Sequence, residues 1–299
     1  MMRDTRTIGF VGLGAMGQAM TDNLLVGGFC VQGYDVSPRA LQSLDKAGGV
    51  AVDSPGAAGE GAQVVIIMVP DVLEVEEALN GEGGLLRSPG NGRIVMVMCT
   101  IDPNAVLRFA DTAEAAGWHY VDCPVGKPAD AARRKESVFM LSGRPEDKKM
   151  VEPVLMAMGE DIIDCGPVGH AAVIKVVNNY MSGIGALVVA EGLRMAEAGG
   201  VPTDKFLEVI NDTFAGNGHS RMWFPSKVLR GDIEPGFAIR HNVKDLDIAR
   251  GYMIRAGLPD FIASGAVDAY RQAAESGYAD SDFSAIYNHL GDIRRGNTD

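Results

Sequence analysis

The chain of 299 residues contains few of the residue types that bind metals or form covalent cross-links. Its four cysteines form no C-x-x-C pair, and their spacing fits neither a zinc site nor a disulfide scaffold. Its five histidines are scattered without the spacing of metal ligands. These absences exclude a zinc-stabilised or disulfide-stabilised fold, and we expect no bound metal.

An excess of basic charge and a long apolar run are also absent. The chain has 27 Lys and Arg against 39 Asp and Glu, a formal net charge of −12. This charge argues against nucleic acid or an anionic membrane as a partner. The most apolar run, Val64–Val69, has the length of a strand and is too short for a membrane span. The first strand begins near the N-terminus, so we expect no signal peptide and a cytoplasmic location.

A glycine motif follows the first apolar run. Thr7–Val11 has the composition of a strand and leads into G-x-G-x-x-G at Gly12–Gly17, after which a helical pattern begins. A second strand ends in an acid, Asp35. The order strand, glycine turn, helix, strand and acid predicts a dinucleotide-binding site, whereas a glycine motif alone would be weak evidence.

Each residue of the glycine motif has a predicted role in holding NAD(H). Gly12 permits the tight turn, Gly14 lets the backbone approach the pyrophosphate, and Gly17 lets the helix pack closely on the strand. The N–H groups at the helix start bind phosphates. The carboxylate of Asp35 accepts hydrogen bonds from ribose hydroxyls and repels a 2′-phosphate, which favours NAD(H) over NADP(H). The cofactor residues predicted here are Gly12, Leu13, Gly14, Ala15, Met16, Gly17 and Asp35.

Strand and helix patterns alternate through the first half of the chain and give way to helical patterns after Cys165. This alternation predicts an α/β Rossmann domain with a doubly wound parallel sheet. We therefore predict an NAD-binding domain over residues 1–165 and an all-helical domain for substrate binding and oligomerisation over residues 166–299. A long interdomain helix, about Val168–Ala198, joins them.

The predicted interdomain helix places one lysine among apolar residues. Lys175 lies in an Ala- and Val-rich stretch, which predicts a helix buried on most sides. A desolvated lysine has a lowered pKa and can exchange a proton near neutrality. Asn178 and Asn179 follow by three and four residues and share its face. The pattern indicates a small polar site; the alternative is a lysine that reaches solvent beside two helix-interior asparagines.

Further candidates follow the other predicted strands. Ligands of open parallel sheets bind at the carboxyl ends of the strands. Those ends carry Val69-Pro70, Thr100 and a loop at Val125–Asp130 that contains Gly126 and Lys127. This order places Lys127 on the cofactor side of the sheet, and the alternative is an exposed loop lysine.

Four motifs together resemble the β-hydroxyacid dehydrogenase family, which includes the 3-hydroxyisobutyrate dehydrogenases, over nearly the whole chain. They are Gly9–Gly17, Asp122–Val125, Gly166–Asn179 and Lys244–Leu246. The resemblance implies that Lys175 is the catalytic acid/base, that Asn179 orients it or the substrate, and that the protein is a homodimer or homotetramer. It further implies a substrate site of Gly126, Lys127, Asn178, Thr100 and Phe237, and additional cofactor residues Val69, Pro70, Thr100, Lys244 and Asp245.

Two positions depart from the pattern of the family. Gly126-Lys127-Pro128 stands where Ser-Gly-Gly commonly receives the carboxylate of the substrate, and Cys99 stands where serine is usual. A basic residue after Pro-Val-Gly is similar to a subgroup that reduces 3-sulfolactaldehyde. In that subgroup hydroxyl residues follow the basic one, whereas this chain has Pro128 and Ala129. A lysine offers a full charge and three donors, which suits a larger anion such as a sulfonate.

The resemblance thus implies an NADH-dependent reductase of a short anionic aldehyde. The favoured substrate is 3-sulfolactaldehyde, reduced to 2,3-dihydroxypropane-1-sulfonate in sulfoquinovose degradation. Carboxylate semialdehydes such as methylmalonate, tartronate or succinic semialdehyde are the alternative. A 6-phosphogluconate dehydrogenase-like decarboxylase has histidine where Asn178 stands, and imine reductases generally lack the lysine that Lys175 supplies. A non-catalytic NAD-binding protein is disfavoured because such a protein has no use for a buried proton donor.

Overall fold

A computed structural model of the protein describes residues 7–296. Residues 1–6, to which the expectation about a signal peptide refers, and residues 297–299 lie outside the described residues. The chain divides into two compact units, of which the first ends at Lys175 and the second begins at Val176.

Within the described residues the first unit alternates strands and helices around a nine-stranded sheet. The strands are β1 (Thr7–Val11), β2 (Cys30–Tyr34), β3 (Val50–Ala51), β4 (Val64–Ile67), β5 (Ile94–Val97), β6 (His119–Asp122), β7 (Val125–Gly126), β8 (Val138–Ser142) and β9 (Asp161–Gly166). The helices are α1 (Ala15–Val26), α2 (Pro38–Ala47), α3 (Pro55–Ala58), α4 (Val72–Asn80), α5 (Pro103–Ala115), α6 (Ala129–Arg133), α7 (Pro145–Met158) and the start of α8 (His170–Ala198).

The sheet has the doubly wound order β3-β2-β1-β4-β5-β6-β8-β7, with β9 paired to β8. All pairs from β3 to β6 are parallel, which confirms the Rossmann prediction. Beyond β6 the sheet is mixed, because β8 runs antiparallel to both β6 and β7, while β9 runs parallel to β8. Strands β6 and β7, which only Cys123-Pro124 separates along the chain, both pair with β8.

Both faces of the sheet are covered by apolar packing. Strands β4 and β5 are buried along their whole length, as expected for a parallel sheet between two helical layers. Ile66 and Met96 belong to the cluster on one face, and Val65 and Val95 belong to the cluster on the other. The short strands β3 and β7 were not predicted, because two residues are too few to show a hydrophobic period.

A buried carboxylate ties α7 to the sheet. The Asp147 side chain is 1% exposed, and its Oδ1 lies 2.6 Å from Nδ1 of His119 in β6. Its Oδ2 accepts a hydrogen bond from Nε of Arg144 at 2.8 Å. Both oxygens therefore have charged or polar partners, as a buried carboxylate requires.

The second unit is helical. It contains the remainder of α8 and then α9 (Thr203–Asn211), α10 (Phe224–Ser226), α11 (Ile239–Arg255), α12 (Ala263–Ala273) and α13 (Ile286–Gly296). Between α9 and α11 the backbone forms no single regular helix. A π turn at His219–Trp223, the single turn of α10 and a 3₁₀ turn at Val228–Arg230 stand there instead.

Helix α8 is less buried than its composition predicts. Ile174, Met181, Val188 and Met195 follow one another at intervals of seven residues and are 45%, 67%, 58% and 74% exposed. The prediction that this helix is buried on most sides is therefore wrong for the single chain. Apolar composition reports a preference for burial, but it does not tell which molecule provides the covering surface.

Helix α8 also corrects the expectation about membrane spans. It is long and apolar enough to cross a bilayer by length and composition. One such helix is weak evidence, because core helices of soluble proteins meet the same criteria. Lys175, Asn178 and Asn179 interrupt the apolar run of α8 in the sequence.

Candidate active site

The glycine turn between β1 and α1 has the predicted geometry. Gly12 has φ +96°, a conformation that favours glycine, and a Cβ there would collide with the carbonyl of Met68. A Cβ on Gly17 would collide with the carbonyl of Gly12. Packing within the protein therefore requires glycine at both positions, as predicted from the motif.

Gly14 is different, because nothing in the protein requires it to be glycine. A Cβ there would have no atom within 4 Å, and both Gly14 and Ala15 are exposed. Gly14 is the N-cap of α1 and provides no side-chain cap for the first turn. The start of α1 is therefore open to solvent and has free backbone N–H groups. A bound pyrophosphate fits there, and it is the only group that a Cβ on Gly14 would contact.

Asp35 lies beside this turn at the end of β2. Its Oδ2 accepts a hydrogen bond from the N–H of Leu13 at 2.6 Å, and its Oδ1 accepts one from the N–H of Ser37 at 2.8 Å. Each carboxylate oxygen keeps further lone-pair capacity for a ribose hydroxyl. Arg39, the nearby cation that would soften a preference against a 2′-phosphate, is exposed.

The thiol of Cys99 joins the ends of β4 and β5. Its Sγ accepts a hydrogen bond from the N–H of Val69 at 3.2 Å and donates one to the carbonyl of Ile67 at 3.5 Å. The thiol thus holds the segment of Val69 and Pro70 beside the half-buried Thr100. Sequence reasoning noted Cys99 only as a departure from the family, because this contact depends on the pairing of β4 with β5.

Asp122, at the end of β6, is a residue that sequence reasoning did not single out beyond its motif. Its Oδ1 and Oδ2 accept hydrogen bonds from the N–H groups of Gly169 and Ala172, each at 3.0 Å. Burial raises the pKa of Asp122 to about 6, and these two hydrogen bonds offset only part of that effect. The nearby Ser142 Oγ accepts a hydrogen bond from the N–H of Ala171 at 2.9 Å.

Lys127 pairs with a residue outside the predicted site. Its Nζ lies 3.2 Å from Oε2 of Glu160, and the two side chains are 43% and 62% exposed. Lys127 also has φ +70°, an uncommon conformation for a residue with a side chain. Gly126, which precedes it in β7, is half-buried. Such exposed pairs contribute about 0–1 kcal/mol, so Glu160 holds Lys127 only weakly.

The lysine and the two asparagines lie on α8, as predicted. Lys175 is half-buried and stands three residues beyond Ala172, at the end of the first unit. In the second unit Asn178 Nδ2 donates to Asn179 Oδ1 at 3.0 Å, and Asn179 Nδ2 donates to Asp245 Oδ2 at 2.5 Å. The Asp245 side chain is 2% exposed, and its Oδ1 lies 3.0 Å from Nζ of Lys244.

The second unit therefore brings four predicted residues together: Asn178, Asn179, Lys244 and Asp245. Within this unit the carboxylate of Asp245, predicted from the resemblance to be a cofactor residue, orients the amide of Asn179. Phe237 lies in an aromatic cluster, with ring centroids 6.0 Å from Phe283 and 6.1 Å from His241.

Comparison with known proteins agrees with this geometry. The NAD-binding domain of 6-phosphogluconate dehydrogenase matches residues 7–166, and the NAD-binding domain of NADP-dependent 3-hydroxyisobutyrate dehydrogenase matches residues 169–290. The chain is 33% identical to 3-sulfolactaldehyde reductase of Escherichia coli K12, over 93% of this chain and 94% of that protein. It is 29% identical to human mitochondrial 3-hydroxyisobutyrate dehydrogenase, over 95% and 86% of the two chains.

Among solved structures, 3-hydroxyisobutyrate dehydrogenase of Mycobacterium tuberculosis with L-serine superposes with a TM-score of 0.88 at 28% identity. That match covers 96% of this chain and 99% of the other. The fold, the glycine turn and these matches define an NAD-dependent oxidoreductase that acts on CH–OH groups. The chain belongs to the β-hydroxyacid dehydrogenase family.

The open position of Gly14 generates a prediction about cofactor binding. We expect Gly14→Ala to weaken NADH binding about ten-fold or more, because the added methyl group meets only the bound pyrophosphate, and 1.4 kcal/mol of lost contact is a factor of ten. NADH fluorescence titration measures this change.

The matched control is Gly265→Ala, which adds a methyl group to an exposed glycine of α12 with equally open surroundings. It should leave the Kd for NADH unchanged. If the Gly14→Ala variant and the wild type bind NADH with equal affinity, the pyrophosphate does not bind at the start of α1.

Proposed function

We propose that this enzyme uses NADH to reduce a short aldehyde that bears an anionic group, and that 3-sulfolactaldehyde is the aldehyde. The observation that carries this proposal is Lys127, a full positive charge in the loop after β6 where the family commonly has a neutral glycine. The similarity to a 3-sulfolactaldehyde reductase along 93% of the chain supports it. The product would be 2,3-dihydroxypropane-1-sulfonate, which gives the enzyme a place in sulfoquinovose degradation.

Bound NADH supplies a hydride to the carbonyl carbon. The ammonium of Lys175 donates a proton to the carbonyl oxygen as negative charge develops there, and it takes the proton back in the reverse direction. Asn179 orients the lysine or the substrate, with its own amide held by Asp245. Asn178 adds a second amide on the same face of α8, three residues after Lys175.

The anionic tail of the substrate competes with Glu160 for Lys127. The exposed pair with Glu160 contributes about 0–1 kcal/mol, whereas a charged hydrogen bond to a sulfonate in a closed site contributes about 1.5–3 kcal/mol. The larger interaction decides the outcome, so Lys127 leaves Glu160 for the substrate. We propose Gly126, Thr100 and Phe237 as further substrate-binding residues, on the resemblance to the family.

A carboxylate semialdehyde is the second candidate. The support is the similarity to relatives named 3-hydroxyisobutyrate dehydrogenase, which this chain matches over 86–88% of their length. We also propose a homodimer or homotetramer, supported by the apolar stripe of Ile174, Met181, Val188 and Met195 on α8. A cytoplasmic location is supported by the four free cysteines, which suit a reducing compartment.

Lys175→Met tests the proton donor. We expect the variant to bind NADH with unchanged Kd and to lose at least about 10²–10⁴-fold in kcat, the usual contribution of general acid–base catalysis. Steady-state kinetics with a panel of small aldehydes measures the loss. A variant that keeps a tenth of the wild-type rate would show that the proton comes from another group.

Lys127→Ala tests the substrate. We expect KM for 3-sulfolactaldehyde to rise about ten-fold or more and KM for uncharged aldehydes to change little, because a charged hydrogen bond of about 1.5–3 kcal/mol is lost only with an anion. Steady-state kinetics with sulfonate, carboxylate and uncharged aldehydes of equal length provides the comparison.

Lys135→Ala is the matched control for Lys127→Ala, since Lys135 is another exposed lysine of the same segment with φ +59°. It should leave every KM unchanged. If Lys127→Ala raises KM equally for charged and uncharged aldehydes, Lys127 maintains the conformation of the loop and does not bind the anion. A wild type that reduces carboxylate semialdehydes far faster than 3-sulfolactaldehyde would select the second candidate.

Asp35→Asn tests the coenzyme preference. We expect the wild type to have a higher kcat/KM with NADH than with NADPH, and the variant to narrow that gap, because the carboxylate repels a 2′-phosphate. Asp45→Asn, which alters an exposed α2 carboxylate bound to the N–H of Ala51, is the control and should leave the gap unchanged. A wild type that prefers NADPH would assign the dominant contacts to Ser37 and Arg39.

A further inference from the structure

The first turn of α8 is attached to the sheet by side chains that are distant in sequence. Asp122 accepts hydrogen bonds from the N–H groups of Gly169 and Ala172, 47 and 50 residues away. Ser142 accepts one from the N–H of Ala171, 29 residues away. These three donors are among the N–H groups at a helix start that have no partner within the helix.

This attachment differs from the caps of other helices in the first unit. Helices α3, α4 and α5 each begin with a side-chain cap from the residue immediately before them, Ser54, Asp71 and Asp102. A local cap stabilises a helix but does not fix where the helix lies. The bonds from Asp122 and Ser142 fix the start of α8 relative to the sheet.

Both attaching residues come from one point of the sheet. Asp122 in β6 and Ser142 in β8 are register partners in the antiparallel pair, and their residues are 1% and 0% exposed. Side chains buried so completely have little freedom to move. The reversal of strand direction after β6 is therefore what brings the two acceptors together below the start of α8.

Lys175 follows Ala172 by three residues, which is about 4.5 Å along a helix axis. Any shift or rotation of the first turn moves the ammonium of Lys175 by a similar amount. A misplacement of about 1 Å at a reacting group can cost about 10²-fold in rate. The attachment of this turn therefore bears directly on the geometry of proton transfer.

We infer that Asp122 is a positioning residue of this enzyme: its carboxylate, together with the Ser142 hydroxyl, fixes the first turn of α8 on the sheet and thereby the place of the Lys175 ammonium. This inference rests on the proposed role of Lys175 as the proton donor. Asp122 acts through the helix and has no assigned contact with substrate or cofactor.

The charge of Asp122 does not itself stabilise the folded protein near neutral pH. Because its pKa is raised to about 6, the ionised carboxylate is less favourable in the folded than in the unfolded chain near neutral pH. A neutral cap would stabilise the helix start without that penalty. A carboxylate, however, can accept both N–H groups at once, whereas an asparagine amide has a single acceptor oxygen.

Asp122→Asn tests the inference, since it retains the size of the side chain and removes one of the two acceptors. We expect kcat to fall about ten-fold or more, with the Kd for NADH within about two-fold of the wild type. The solvent deuterium isotope effect on kcat should rise, because a displaced Lys175 makes proton transfer more rate-limiting. Both are measured with the aldehyde that the wild type reduces fastest in a panel.

Asp147→Asn is the matched control, because Asp147 is an equally buried carboxylate with two partners and belongs to no part of the site. It should lower the thermal unfolding temperature while kcat and the isotope effect stay at their wild-type values. If Asp122→Asn keeps the kcat and the isotope effect of the wild type, Asp122 is only a structural cap of α8, and the inference is overturned.

If Asp122→Asn does not fold, Ser142→Ala carries the test, because it removes only one of the three bonds. We expect a loss of about three-fold in kcat, which corresponds to the low end of a hydrogen-bond contribution, with a smaller rise in the isotope effect than in Asp122→Asn. Ser54→Ala, which removes the local cap of α3, is its control. Unchanged kinetics in Ser142→Ala would contradict the inference.

A double variant separates this inference from the proposed role of Lys175. If Asp122 acts through Lys175, adding Asp122→Asn to Lys175→Met should cause no further loss of kcat, because residues that act as a unit are non-additive. Multiplicative losses would overturn the positioning role while leaving Lys175 as the proton donor. High activity in Lys175→Met alone would contradict the proposed function instead.

Discussion

Parallel pairing of β1 with β2 on one side and β4 on the other brings three strand ends to the same edge of the sheet. The glycine turn, Asp35 and the segment of Val69 and Pro70 follow those ends, so their proximity is a consequence of strand direction. Apolar packing on both faces of β4 and β5 holds the edge rigidly. The NAD-binding half of the protein depends on this one geometric constraint.

Buried carboxylates fix further contacts between elements of the fold. Asp122 accepts two backbone N–H groups, Asp147 binds His119 and Arg144, and Asp245 binds Asn179 and Lys244. Each would be costly in an apolar environment without partners, so each forces specific groups into contact. Two of these three contacts concern residues on α8. The helix that carries the proposed proton donor is thus oriented by charge as well as by packing.

Much of the fold could be predicted because its signals are local. The bounds of β1 coincide with their predicted bounds, since its apolar residues and the glycine turn after them act within a few residues. The glycine motif predicted the turn at Gly12 and Gly17 for the same reason. Strand β7 and the broken helix after His219 escaped prediction, because short and irregular elements carry no period.

The amino-acid sequence by itself determined the dinucleotide turn, the alternation of strands and helices, and the presence of one lysine with two asparagines on a single helix. Each depends on neighbours within one or two turns of backbone. Only the tertiary structure decided that Asp122 attaches α8 to the sheet, that Lys127 rests on Glu160, and that one side of α8 lies open to solvent. These are contacts between residues many positions apart, and their formation depends on strand register and strand direction, which no local pattern contains.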